Sequence, residues 1–277
     1  MALNINSNNL SLSAQYNLNK TTNMLANTMT RLSTGLKINS ASDNAAGLAI
    51  AQGFTADINI STQGISNAQD GVNLLNVADG ALSSMNDSLQ RLVVLAQQAS
   101  NGTLASSQRG NIGAEFSKIM TALGSIADNT SFNGIKLLDG TASNIVIQLG
   151  SEATDKETIA IGSSKLADLA INGFTIDNNT TVSAAVSMVG TLKAAIDMIS
   201  TNRAQVGAQQ SVLNSDIASI GLKINALSQS RSSIMDIDVA QETANLTLFQ
   251  IKQQAAVSIL GQANSQPQIA LSLLSGR

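Results

Sequence analysis

The sequence predicts a mainly α protein of long, antiparallel, coiled-coil-like helices with paired terminal helices and a small β-hairpin region in the middle of the chain. Three observations carry that expectation. Apolar residues recur at alternating steps of three and four over long stretches towards both ends, the spacing that lines one face of an α-helix. Aromatic residues make up only 2% of the 277 residues, while Ala and Leu are abundant. That balance suits closely packed helices better than a deep globular core. Short β-branched runs gather between residues 133 and 179.

The first predicted helix runs from Leu10 to Leu36, with Leu18, Leu25, Met29, Leu32 and Leu36 on one narrow stripe. It has few ion pairs at i,i+4 to hold it alone, so it needs a partner helix. Asn39 to Asn44 is rich in capping and turn residues and predicts a break. A second stripe passes through Ile65, Ala68, Val72, Leu75, Ala78, Leu82, Met85, Leu89, Leu92, Ala96 and Ala99. Two successive steps of three near Val72–Ala78, beside Gly71 and Gly80, predict a local change of packing there. Asn101-Gly102 ends this helix. Ile112, Phe116, Ile119, Leu123 and Ile126 mark a shorter third one.

Asn133-Gly134 and Asp139-Gly140 are turn dipeptides, and the runs at 145–149, 158–161 and 174–176 are β-branched. Together they predict a small set of hairpins. The last third, Val182 to Ala263, dominates the chain. Its stripe from Val182 through Val186, Leu192, Ile199, Val206 and Leu213 to Ile234 would be roughly 80 Å long at the helical rise. Arg203, Gln210 and Arg231 interrupt it as polar seam residues that fix register. Pro267 is the only proline, so nothing forces an earlier break. The apolar face continues through Val239, Leu246, Phe249, Ala256 and Leu260 into a short tail. The order of elements is close to mirror-symmetric. It predicts that the first helix meets the last and the second meets the long stripe, with the termini together at one end of a rod.

Composition excludes several functions. The net charge is −3 and Lys and Arg are scattered singly, which argues against nucleic acid. Cys, His and Trp are absent. Thiolate–imidazole nucleophiles, imidazole acid–base chemistry, ordinary zinc sites and disulfides therefore cannot be built. The glycines form no phosphate-binding loop. Asp236, Asp238 and Glu242 are oxygen ligands of a kind that suits calcium or magnesium. They lack a glycine-containing loop, and carboxylates near a helix start are favoured by its dipole, so we read them as structural. No catalytic, cofactor or metal site is expected. The opening MALNINSNNLSLSAQ is expected not to be a signal peptide, and no stretch is expected to span a bilayer. A self-assembling subunit accounts for the stripes and the symmetry, a secreted coiled-coil binder accounts for the stripes alone, and an enzyme accounts for neither.

The segment LSTGLKINSASDNAAGLAIA at 32–51 and RSSIMDIDVAQETANLTLFQIKQQAAVSILGQANSQPQIALSLL at 231–274 resemble the two ends of bacterial flagellin. So do MALNINSNNLSLSAQYNL at the start and SFNGIKLLDG at 131–140. Only about 40 residues, 140 to 180, are left for the variable insert of larger members, so the resemblance is to a short form. It implies a structural subunit, not an enzyme, that polymerises into the hollow helical filament of the flagellum and gives motility. Residues 1–43 plus 236–277 would form the inner filament core, and 44–235 the outer rod. Leu18, Leu25, Met29, Leu32, Leu246, Phe249, Ala256 and Leu260 would be the inner-core assembly residues. Export in unfolded form by the flagellar type III apparatus is implied, to an extracellular filament. The implied partners are other copies of the chain, an export chaperone, the filament cap and hook-associated proteins, without nucleic acid or membrane insertion. A vertebrate innate-immune flagellin receptor is a further implied partner, through Gln90, Arg91 and Leu95. Binding would be weak, because Val93 and Val94 stand where charged residues are usual. Other departures from the family pattern are Lys37, Ser42, Asn44 and Leu248, none of which removes an apolar stripe.

Overall fold

The computed structural model describes residues 7–274, with side chains placed as far as residue 268. Its elements are α1 (Asn9–Thr34), α2 (Ala45–Ala99), α3 (Ser106–Asn129), β1 (Ser131–Phe132), β2 (Ile135–Lys136), β3 (Ile145–Gln148), β4 (Lys156–Ile159), α4 (Val182–Met235) and α5 (Val239–Leu274). The described chain divides into two compact units. One takes in the residues up to Ala56 and from Ala226 on, the other runs from Asp57 to Asn225.

The Asp57–Asn225 unit holds the hydrophobic core. Along α2 every stripe residue from Ala68 to Ala99 is buried except Val72, which is half-buried. Leu74 and Leu95 are buried as well, so the apolar face is wider than one seam. The helix continues through Gly71 and Gly80. At Gly71 an added Cβ would meet Leu213 of α4 at 3.1 Å and Ile147 of β3 at 3.3 Å, so α2 is approached there by two neighbours at once. That is the physical content of the phase disturbance. Along α4, Ala185, Leu192, Ala195, Ile199, Asn202, Val206 and Leu213 are buried. Val182 and Val186 are exposed, contrary to the expectation, because the small Ala185 takes the contact in that first turn. Asp79 accepts a hydrogen bond from Arg203 at 2.9 Å and Asn76 accepts one from Gln210 at 3.0 Å. Lower numbers on α2 face higher ones on α4, so the two run antiparallel. Asp79 holds the Arg203 guanidinium pKa above its ordinary value.

Phe116, Met120, Leu123 and Ala127 of α3 close the same core. The first hairpin turns at Asn133 and Gly134, with φ of 48° and 81°. Two successive positive φ values make the turn that matches strand twist, and Phe132 pairs with Ile135 across it. In the second hairpin Ile145 pairs with Ile159 and Gln148 with Lys156. It lies so close to α2 that a Cβ on Gly64 would stand 2.0 Å from the Leu149 carbonyl oxygen. Only glycine fits there.

Four expectations need correcting. Residues 174–176 form no strand. Their Ile176 carbonyl instead presses on α3, where a Cβ on Gly113 would be 1.8 Å away. The long helix breaks between Met235 and Val239, because the Ile237 N–H leaves the helical ladder to donate to Gly35. The final segment is no short tail, since α5 runs to Leu274 with Pro267 inside it. Finally, an 18-residue window of α4 has a mean hydropathy of 1.5, which by length and composition is apolar enough to cross a membrane. The seam of that helix, with Asn202 and Arg203 in it, packs on the core described above.

Candidate functional site

The other unit contains the paired terminal helices. The Asn8 carboxamide oxygen accepts the Ser11 N–H and caps α1, and Gly35 ends it in the left-handed region at φ 73°. Asn8 Nδ2 donates to the Ala263 carbonyl, Ser11 Oγ meets Asn264 Oδ1, and Gln253 Nε2 reaches Thr22 Oγ1. These partners set α1 antiparallel to α5. In this register Leu25 stands at the level of Phe249, and Leu18 at that of Ala256.

On α1 the residues turned inwards are Ala14, Leu18, Thr21, Leu25, Thr28 and Leu32. Small side chains and leucines alternate at heptad spacing, which lets the two backbones approach. On α5 the inward row is Glu242, Leu246, Phe249, Gln253, Ala256, Leu260, Ala263 and Pro267. Seven of the eight sequence-derived residues, Leu18, Leu25, Leu32, Leu246, Phe249, Ala256 and Leu260, are half-buried in this seam, while Met29 points outwards. Thr28 is buried in its place. Sequence reasoning missed Ala14, Thr21, Thr28, Gln253 and Pro267 because it followed mainly large apolar side chains and passed over the polar residues, the proline and the first alanine of the seam. Carrying the seven-residue spacing on from Leu246 and Leu260 would have found Gln253 and Pro267.

The loops that follow α1 and α4 are joined by backbone. Lys37 N–H donates to Met235, Ile237 N–H donates to Gly35, and Leu36 bridges Asp236 in antiparallel fashion. Asp43 accepts from the N–H groups of Asn39 and Ser40. Those donors, Asn39 first, hold its carboxyl below the usual carboxylate range. Asn44, one of the departures from the family pattern, accepts the Gly47 N–H and so starts α2. The acidic cluster is spent on local bonds. Asp236 accepts from Ser232, Asp238 caps α5 through the N–H groups of Ala240 and Gln241, and Glu242 accepts from Asn245. Among the described residues no three carboxylates come together to hold a metal.

The outer faces of the pair are apolar. Tyr16 is 70% exposed, Leu12 64%, Ile259 60% and Ile251 59%, and Leu10, Met29, Leu248 and Val257 add to them. Single exposed apolar residues need no explanation, but many of them on two paired helices mark a surface that something covers. Elsewhere, Gln90 and Arg91, expected from the resemblance to meet a receptor, are exposed, and Arg91 pairs with Glu115 of α3 at 2.6 Å. Leu95 is 1% exposed and belongs to the core. It cannot be part of a surface patch, because its helical phase follows Leu92 and Ala99 to the buried side.

A seam built from both ends of the chain, with uncovered apolar outer faces, defines a helical structural subunit. The model of the bacterial flagellin N-terminal helical region matches residues 5–143, and that of the C-terminal helical region matches residues 189–274. The flagellin of Listeria innocua is 34% identical over 98% of this chain and 99% of its own length. The flagellar filament 33 kDa core protein of Treponema phagedenis is 32% identical, with 98% of this chain and 99% of its own length covered. The crystal structure of Bacillus cereus flagellin superposes with a TM-score of 0.51 at 28% identity, over 56% of this chain and 88% of that one. The chain belongs to the bacterial flagellins, the filament subunits of the flagellum. It is a short form with a small central region.

Proposed function

We propose that the chain polymerises through α1 and α5, which form the inner core of a hollow helical filament, with residues 44–235 outside it. The observation that supports this most directly is the apolar outer surface of the terminal pair, with Leu12, Tyr16, Ile251 and Ile259 left uncovered in one chain. Burying each such side chain against another copy contributes roughly 1.5–3 kcal/mol, and the gain repeats at every subunit. The half-buried seam of Leu18, Leu25, Leu32, Leu246, Phe249, Ala256 and Leu260 holds the pair together within a chain. Met29, on the outside, belongs with the contacts between copies. We further propose export in unfolded form through the flagellar type III apparatus, with a chaperone, folding under a cap, and hook-associated proteins meeting the filament end.

Ile251→Asp tests the assembly reading. The side chain is exposed in one chain, so circular dichroism and melting of the dilute protein should not change. Seeded protein should fail to sediment, because a carboxylate would be placed in a contact between copies. Normal pelleting of this variant would assign the surface to something other than self-assembly. Recognition by the vertebrate flagellin receptor is proposed to be weak. Arg91 is already engaged by Glu115, and its neighbours Val93 and Val94 carry no charge. Full potency in a reporter assay, unchanged by Arg91→Ala, would contradict that.

A further inference from the structure

Pro267 sits on the inward row of α5, and it has no N–H. The carbonyl four residues earlier, that of Ala263, therefore has no donor within its own helix, and the proline ring also crowds it. Ala263 is 7% exposed, on the side that faces α1, so water does not readily replace the missing donor. A single side chain from the other end of the sequence does. Asn8 Nδ2 donates to the Ala263 oxygen at 2.8 Å, across 255 residues of chain.

The same side chain has a second duty. Its oxygen accepts the Ser11 N–H at 3.1 Å and caps α1. The two bonds fix the orientation of the carboxamide, since the oxygen must face an N–H and the nitrogen a carbonyl. One residue further on, Ser11 Oγ and Asn264 Oδ1 are 2.7 Å apart.

We propose that Asn8 and Pro267 form a clasp that sets the axial register of the terminal helices. Proline frees one acceptor at one level of α5, and Asn8 is the donor placed to fill it. A slide of α5 by one turn removes Ala263 from reach of Asn8. It then offers only carbonyls already bonded within the helix, or leaves the Ala263 oxygen buried and unpaired. The seam of leucines and small residues repeats every seven residues and discriminates weakly between such registers. The clasp does so because it occurs once. Pro267 is thus a positioning residue rather than a tolerated irregularity.

The test is a pair of variants in two backgrounds, read by amide hydrogen exchange on peptides from α1 and from 239–262 in pelleted polymer. It rests on the assembly reading only for that sample. If the wild-type chain does not pellet, that reading fails, and the same cycle is read on the dilute chain. Asn8→Ser keeps a capping oxygen but loses the amide donor. With Pro267 present, exchange in both helices should rise about tenfold, the scale of one lost hydrogen bond to a buried group. In the Pro267→Ala background, residue 267 supplies its own N–H to Ala263. There Asn8→Ser should change exchange less than about twofold. The proposal is overturned if Asn8→Ser leaves α5 unaffected beside Pro267, or if it acts equally in both backgrounds, which would make Asn8 a cap and nothing more.

Discussion

At the scale of single residues, two features respond to simple changes. Asp43 has its carboxyl pKa lowered by the N–H groups of Asn39 and Ser40. A depressed folded-state pKa contributes stability that is complete above the unfolded value of about 3.9 and is lost as pH falls through the folded one. The loop at 35–44 should therefore hold at neutral pH and loosen in acid. Asp43→Ala should lower the protection of the Asn39 and Ser40 amides at pH 7, measured relative to intrinsic exchange, and abolish the acid dependence of that protection. Persistence of that dependence in the variant would assign it to another group. Gly64 and Gly80 both lie within α2 but in opposite surroundings. A Cβ at Gly64 would strike the Leu149 backbone at 2.0 Å, whereas at Gly80 nothing lies within 4 Å. Gly64→Ala should destabilise the dilute chain by about 1–3 kcal/mol in urea unfolding, and Gly80→Ala should stabilise it by about 0.5–1 kcal/mol. Equal effects of the two would show that the hairpin does not press on α2 as described.

At the scale of elements, polar residues in the seams bear most of the specificity. Asn202 is buried in the apolar row of α4, and its Nδ2 donates to Ser164 Oγ at 3.2 Å, with the carbonyls of Gly162 and Ser163 also in reach. Asn202→Leu should cost about 1–3 kcal/mol, because those acceptors are left without a donor. Chemical-shift changes should centre on 162–164 rather than on α2. An isosteric gain in stability would mean that the loop finds water instead. The helices themselves were legible in the sequence. The stripe from Ala68 to Ala99 coincides with the buried face of α2, since periodicity over so many turns leaves one solution. What the periodicity missed was settled by backbone bonding at a distance. Ile237 leaves the helix to bond Gly35, and the 174–176 run packs on Gly113 instead of pairing. Neither partner is near in sequence, so no local signal announces the outcome. Pro267 misled in the opposite sense, because the rule that proline ends helices takes no account of a side chain arriving from residue 8.

At the scale of the whole molecule, the clustered hydrophobic core lies between Ala68 and Leu213, inside the Asp57–Asn225 unit. The terminal unit relies on half-buried rows and a few polar bonds. Trypsin acting on the dilute chain should therefore cut first at Lys20, Arg31 and Lys252, then at Lys37 and Arg231, and leave a fragment of about residues 38–231 that contains the whole Asp57–Asn225 unit. Early cleavage at Lys193 or Arg203 instead would contradict this division of stability. The proposed assembly surface was half legible. The leucines of its seam follow from spacing, but the outward Tyr16 and Ile251 carry no periodic mark and appear only when the inward side is known. The pairing of Asn8 with Ala263 has one more consequence, for the order of events during folding. The two sides of this seam stand at opposite ends of the chain, so its contacts span up to 255 residues among the described ones, and such contacts close late. No chain that stops short of α5 can complete its first helix pair. A product truncated before α5 therefore leaves the inward row of α1, Ala14 to Leu32, as bare as its outer face.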